Sequence, residues 1–128
     1  MSQQLPNFFE GIGGKAKLKS IISDFVQRLF SDPMIGFFFS SISKERLTRF
    51  EYEHAAQWLG GPVSYSGRPL TQAHASHRIM GGQFDRRKMI LKKTLEQHNV
   101  PQNIIDAWLE HTESLRSEIT KDNPGECR

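Results

Sequence analysis

The chain contains a single cysteine among its 128 residues, Cys127 near the C-terminal end. One thiol excludes an internal disulfide framework and any multi-cysteine metal cluster within the chain, and it makes a reducing, cytoplasmic setting the simplest expectation. Long apolar runs are also missing. No stretch approaches the ~18 apolar residues of a membrane span, and the polar segment Met1 to Asn7 lacks the basic start and apolar run of a secretory signal, so neither a membrane partner nor export is expected. Nor is there a strong excess of one charge: 17 basic and 14 acidic residues give +3 and alternate along the chain, apart from Arg86-Arg87-Lys88 and Lys92-Lys93. A nucleic-acid face normally gathers its cations and sets stacking aromatics between them, so no nucleic-acid partner is expected. Alternating strand patterns, repeats and linkers are absent, and Val63 to Tyr65, the one tempting run, is too short to build a sheet.

What is present is helical periodicity. After Gly11, Gly13 and Gly14, the residues Leu18, Ile21, Ile22, Phe25 and Leu29 recur at helical spacing up to Asp32-Pro33, where the proline stops the helix. Met34 to Phe39 form an apolar cluster, and Ser43 is placed to cap a helix over about 44–59. Its inward stripe reads Leu47, Phe50, Glu51, His54, Ala55 and Trp58, and Gly60-Gly61-Pro62 predicts a left-handed cap followed by a stop. A short helix carries Leu70, His74 and His77. A longer one runs from Gly81-Gly82, with Phe84, Leu91 and Leu95 on one face, to a break at Asn99-Val100-Pro101. The last helix, from about Gln102, shows Ile104, Ile105, Trp108, Leu109, Thr112, Leu115 and Ile119. The expectation is an all-α unit over residues 1–120, with a tail of polar and breaker residues over 121–128.

Two readings of His74 stand side by side. It is either an ordinary histidine on a short helix or a ligand to heme iron, which needs a neutral imidazole on a rigid element beside a flat apolar slot. Phe37, Phe38, Phe39, Ile79 and Phe84 are candidates for such a slot, though apolar rings are also common core material. A zinc site on His74 and His77 lacks both a third ligand and the glutamate-flanked histidine pattern. Gly11, Gly13 and Gly14 follow no strand and precede no phosphate-gripping lysine at the required spacing, which excludes a nucleotide loop.

The chain resembles the group I truncated hemoglobins over about residues 8–119. The matching stretches are Phe9-Glu10-Gly11-Ile12-Gly13-Gly14, Asp24-Phe25 with Arg28, Asp32-Pro33, Phe38-Phe39, Arg46-Leu47 and Leu59-Gly60-Gly61-Pro62. They continue with Tyr65-Ser66-Gly67, Leu70, Ala73-His74, Ile79, Phe84 and Val100-Pro101. The resemblance implies a globin-like fold, a truncated two-over-two helical sandwich around heme (iron protoporphyrin IX). It implies His74 as the proximal iron ligand, Phe39 packed on the porphyrin with Phe38, Leu70, Ile79 and Phe84 nearby, and Val26, Leu47, Glu51 and Ala55 on the far side. Such a pocket binds a diatomic gas ligand such as oxygen, nitric oxide or carbon monoxide. His77 and Arg78 are candidates for heme propionate contacts, and a monomer or weak dimer is expected.

The departures bear on mechanism. Where family members commonly hydrogen-bond an oxygen ligand with a distal tyrosine, this chain has Val26, and where a glutamine is usual it has Glu51. An ionised carboxylate accepts hydrogen bonds but donates none, and burying one unpaired is costly. Three arrangements resolve this: Arg87, inward by the Phe84 to Leu91 spacing, pairs with Glu51; Glu51 is protonated and itself donates; or both side chains sit at the rim in water. His54, one turn beyond Glu51, is a candidate sixth ligand or a residue packed near Trp58. The functional expectations are therefore a ligand-binding globin, a nitric oxide dioxygenase or peroxidase-like enzyme served by an electron-donating reductase, and a globin-fold sensor or interaction domain with weak or no heme.

Overall fold

The computed structural model describes residues 7–62 and 81–116. Their regular elements are a short helix α1 (Phe8–Gly11), α2 (Gly14–Ser31), a 3-10 turn (Gly36–Phe39), α3 (Lys44–Leu59), α4 (Gly81–Gln97) and α5 (Gln102–Ser114). No strand occurs among the described residues. None of the described helices is long and apolar enough to cross a membrane.

The breaks fall where backbone chemistry places them. Gly13 and Gly14, at φ of +111° and +81°, turn the chain from α1 into α2. Asp32 is extended, at φ −71° and ψ 129°, as the residue before a proline is pushed to be, so α2 ends at Ser31. The Ser43 hydroxyl accepts from the Arg46 N–H at 3.1 Å and caps α3. At the other end Gly60 adopts φ +97°, a left-handed cap that a side chain would strain. Asn99, at φ +58°, makes the corner between α4 and α5.

The central element is α2, which packs on α1, α3, α4 and the 3-10 turn, while α4 packs on α5. That position explains its composition: Leu18, Ile21, Ile22, Phe25, Val26 and Leu29 are all buried, because neighbours cover more than one of its faces. The core is completed by Phe9, Ala56 and Leu59, by Leu91 and Leu95, and by Ile104, Ile105 and Trp108.

Two local expectations are corrected. The apolar run from Met34 to Phe39 is not one compact cluster: Ile35 is buried, but Met34 and Phe37 are 59% and 61% exposed. The stacked pair Phe37–Phe38, with centroids 4.3 Å apart, leaves Phe37 on the outside and removes it from the candidate slot. On α3 the deepest positions are Ala55, Ala56 and Leu59 rather than the whole stripe read from the sequence. Phe50 is half-buried, its ring flanked by the guanidinium groups of Arg46 and Arg49 at 5.5 and 4.7 Å.

Candidate functional site

The residues expected on the far side of a bound macrocycle come from three helices. Val26 on α2 is fully buried, Ala55 on α3 is buried, and Leu47 is partly buried against the core. Glu51 lies one turn before Ala55. Arg87 projects from α4 and donates through Nη2 to both carboxylate oxygens of Glu51, at 2.9 and 3.0 Å. Of the three arrangements open to these two side chains, the structure has the ion pair, with Arg87 and Glu51 only 26% and 22% exposed. The Arg87 guanidinium also lies over the ring of Phe25, 5.0 Å from its centroid. Helical phase put Arg87 inward, and the apolar ring beneath it supplies a face against which a delocalised cation sits favourably.

Phe39 is half-buried and stacks on Phe30 with centroids 5.3 Å apart. Phe38 packs partly buried against the core. Phe84 is buried, and the Arg116 guanidinium lies 4.7 Å from its ring centre. His54 turns toward α5, stacking 6.0 Å from His111, which in turn stacks on Trp58 at 4.6 Å and 11°. That places His54 beside the Trp58 group, one of its two expected settings. Leu70, His74, His77, Arg78 and Ile79 lie outside the described residues.

Sequence reasoning missed two polar clusters. Asp32, whose side chain is 5% exposed, accepts from Arg86 at 2.6 and 3.0 Å and from the N–H groups of Met34 and Ile35. The Arg86 hydrogen bond holds the Asp32 carboxyl below its ordinary value; burial opposes this, and the two backbone bonds add to it. Asp24 accepts from Arg28 at 3.0 Å and pairs with His98 Nε2 at 2.9 Å. Burial works to raise its carboxyl, but the bonds from Arg28 and His98 together bring it below the usual range. The spacing of Asp24 and Arg28 shows in the sequence; the distant partners, Arg86 on α4 and His98 just after it, do not. A separate cleft of about 690 Å³, lined by residues of α2 and α3 that include Lys19, Ile22, Arg49 and Tyr52, shares no residue with the expected site.

Helix order, central α2 and the placement of the glycines define a two-over-two globin. The chain belongs to the bacterial-like globin family, whose profile matches residues 7–121. It is similar to a group 1 truncated hemoglobin from Tetrahymena thermophila, 26% identical over 110 residues, covering 84% of this chain and 91% of that one. It is also similar to the group 1 truncated hemoglobin GlbN of Mycolicibacterium paratuberculosis, 28% identical over 119 residues, 93% of this chain and 88% of the relative. Among solved structures, a glutamate-for-glutamine variant of truncated hemoglobin from Tetrahymena pyriformis, in the Fe(III) form, superposes with a TM-score of 0.84. Identity to it is 24%, with 89% of this chain and 97% of that one covered.

Globin membership makes heme the cofactor. The described residues fit that group: Val26, Ala55 and Phe84 are apolar and buried, and Glu51 and Arg87, the two charged side chains expected near it, neutralise each other. An apolar macrocycle tolerates a paired charge far better than a lone carboxylate.

Proposed function

We propose that the protein holds heme through His74 and takes a diatomic ligand, oxygen, nitric oxide or carbon monoxide, on the side faced by Val26, Leu47, Glu51, Ala55 and Arg87. Heme iron, when bound, supplies the coordination position for that ligand. Phe38, Phe39, Leu70, Ile79 and Phe84 form the walls, and His77 with Arg78 holds the propionates.

The observation that carries the reading is the Glu51–Arg87 pair at 2.9 and 3.0 Å. Glu51 was the strongest chemical objection to an apolar pocket, and pairing removes it. Pairing also returns a hydrogen-bond donor to a site where Val26 brings no hydroxyl.

The test is the absorption spectrum of protein purified with added heme. A Soret band that is lost or shifted in His74→Ala is the expected result. Absence of the band in the wild type, or a band indifferent to His74→Ala, overturns the assignment.

A further inference from the structure

Resting on the heme assignment above, we propose that Arg87 is a specificity-determining residue that biases the ligand site toward small inorganic anions, with Glu51 as the positioning residue that holds it. A guanidinium has five N–H donors. Nη2 serves both oxygens of Glu51, and no other group among the described residues takes a hydrogen bond from Arg87, which leaves the Nε hydrogen and both Nη1 hydrogens unspent. The cation is held between the Phe25 ring at 5.0 Å and the carboxylate at 2.9 Å, so its orientation is set before a ligand arrives. Pre-oriented donors in a part-buried place stabilise negative charge with less reorganisation than water would need.

Two side chains make the selectivity. Val26 and Ala55 carry no polar side-chain group, so among these four residues polar discrimination falls to the pair. A neutral diatomic such as carbon monoxide draws little from a charge-assisted donor, whereas azide, nitrite or fluoride presents the charge that makes such a bond strong. Glu51 acts in two opposed ways: it fixes the guanidinium and it repels an incoming anion. Glu51→Gln keeps an amide oxygen that accepts from the guanidinium and removes the repulsion, whereas Arg87→Leu removes the donors, so the two substitutions shift anion affinity in opposite directions, which a purely structural ion pair does not do.

The experiment titrates the heme-loaded ferric protein with sodium azide and with fluoride, and the ferrous protein with carbon monoxide, following the Soret band. It compares wild type, Arg87→Leu, Arg87→Lys and Glu51→Gln, with the circular-dichroism melting midpoint of each as a check on folding. Arg87→Leu is expected to weaken azide and fluoride binding about tenfold or more, while carbon monoxide affinity moves less than about threefold. Arg87→Lys should restore part of the loss, and Glu51→Gln should tighten anion binding by about threefold. Unchanged anion affinity in Arg87→Leu, or weaker anion binding in Glu51→Gln, overturns the role of the pair while leaving the heme assignment intact. A wild type with no Soret band overturns both. If Arg87→Leu does not fold, the sign of the change in Glu51→Gln decides.

Discussion

Asp32 shows how much one side chain can carry. One carboxylate oxygen receives the N–H groups of Met34 and Ile35 at 3.0 and 3.1 Å, and the other receives Arg86, so the residue closes the turn after α2 and ties it to α4. Its depressed carboxyl means that the stabilisation is complete above the unfolded value near 4 and disappears as pH falls through the lower folded value. Asp32→Asn is expected to cost about 1–3 kcal/mol at pH 7 and less at pH 3, below the unfolded value, read from urea unfolding at both. Glu113 gives a second titration: hydrogen bonds from Arg116 and Lys88 bring it down to about 2. In Arg116→Ala its midpoint should climb back toward the ordinary carboxylate range, measured by carbon-13 NMR of the side-chain carboxyl. In the sequence, Asp32 reads as a helix stop before Pro33 and nothing more, because its partner Arg86 is 54 positions away on another helix. The Glu51–Arg87 pair was legible only as one of three arrangements: each residue lies on a periodic apolar stripe, which brings the two within reach, but helical phase does not separate a pair from two side chains at a wet rim.

At the scale of elements, α3 was legible at its ends and less so on its face. Ser43 and Gly60 cap it where their side-chain and backbone chemistry requires, and Ser43→Ala should cost about 1 kcal/mol by losing the bond to the Arg46 N–H. Its face was misjudged in part: Ala55 on the expected stripe is buried, but Ala56 and Leu59, off that stripe, lie deeper. Phe50 is shielded by two arginines on its own helix, while Ala56 and Leu59 lie deepest, on a helix that packs closely against α1 and α2. The same closeness recurs beyond the cap: a Cβ on Gly61 would fall 2.6 Å from the Phe9 ring, so that glycine is what lets α1 lie against the end of α3. Gly61→Ala is expected to cost about 1–3 kcal/mol, since a buried ring must shift, and thermal melts of the two variants should rank it at or above Ser43→Ala. Nothing in a single sequence distinguishes a glycine needed for its φ from one needed for its missing side chain.

At the scale of the whole molecule, helix order and glycine placement were enough for the fold, since four amphipathic segments in this order admit few packings. What they did not reveal is the aromatic cluster that joins three elements: Phe8 of α1 against Trp58 of α3, and Trp58 against Trp108 and His111 of α5. His111 sits half-buried in that cluster, its Nε2 sealed from water with no hydrogen-bond partner among the described residues. Burial, with a smaller contribution from His54, pushes its pKa below the ordinary 6.5. The folded chain thus keeps His111 neutral while the unfolded chain takes up a proton near pH 6.5, so stability is full above that pH and falls as pH drops toward the folded value. This window lies above the one set by Asp32, so acid weakens the protein in two stages. In His111→Phe, which keeps a flat ring against Trp58, the melting temperature should be nearly level between pH 7 and 5, where the wild type declines; equal slopes in the two proteins would assign the first stage to another group.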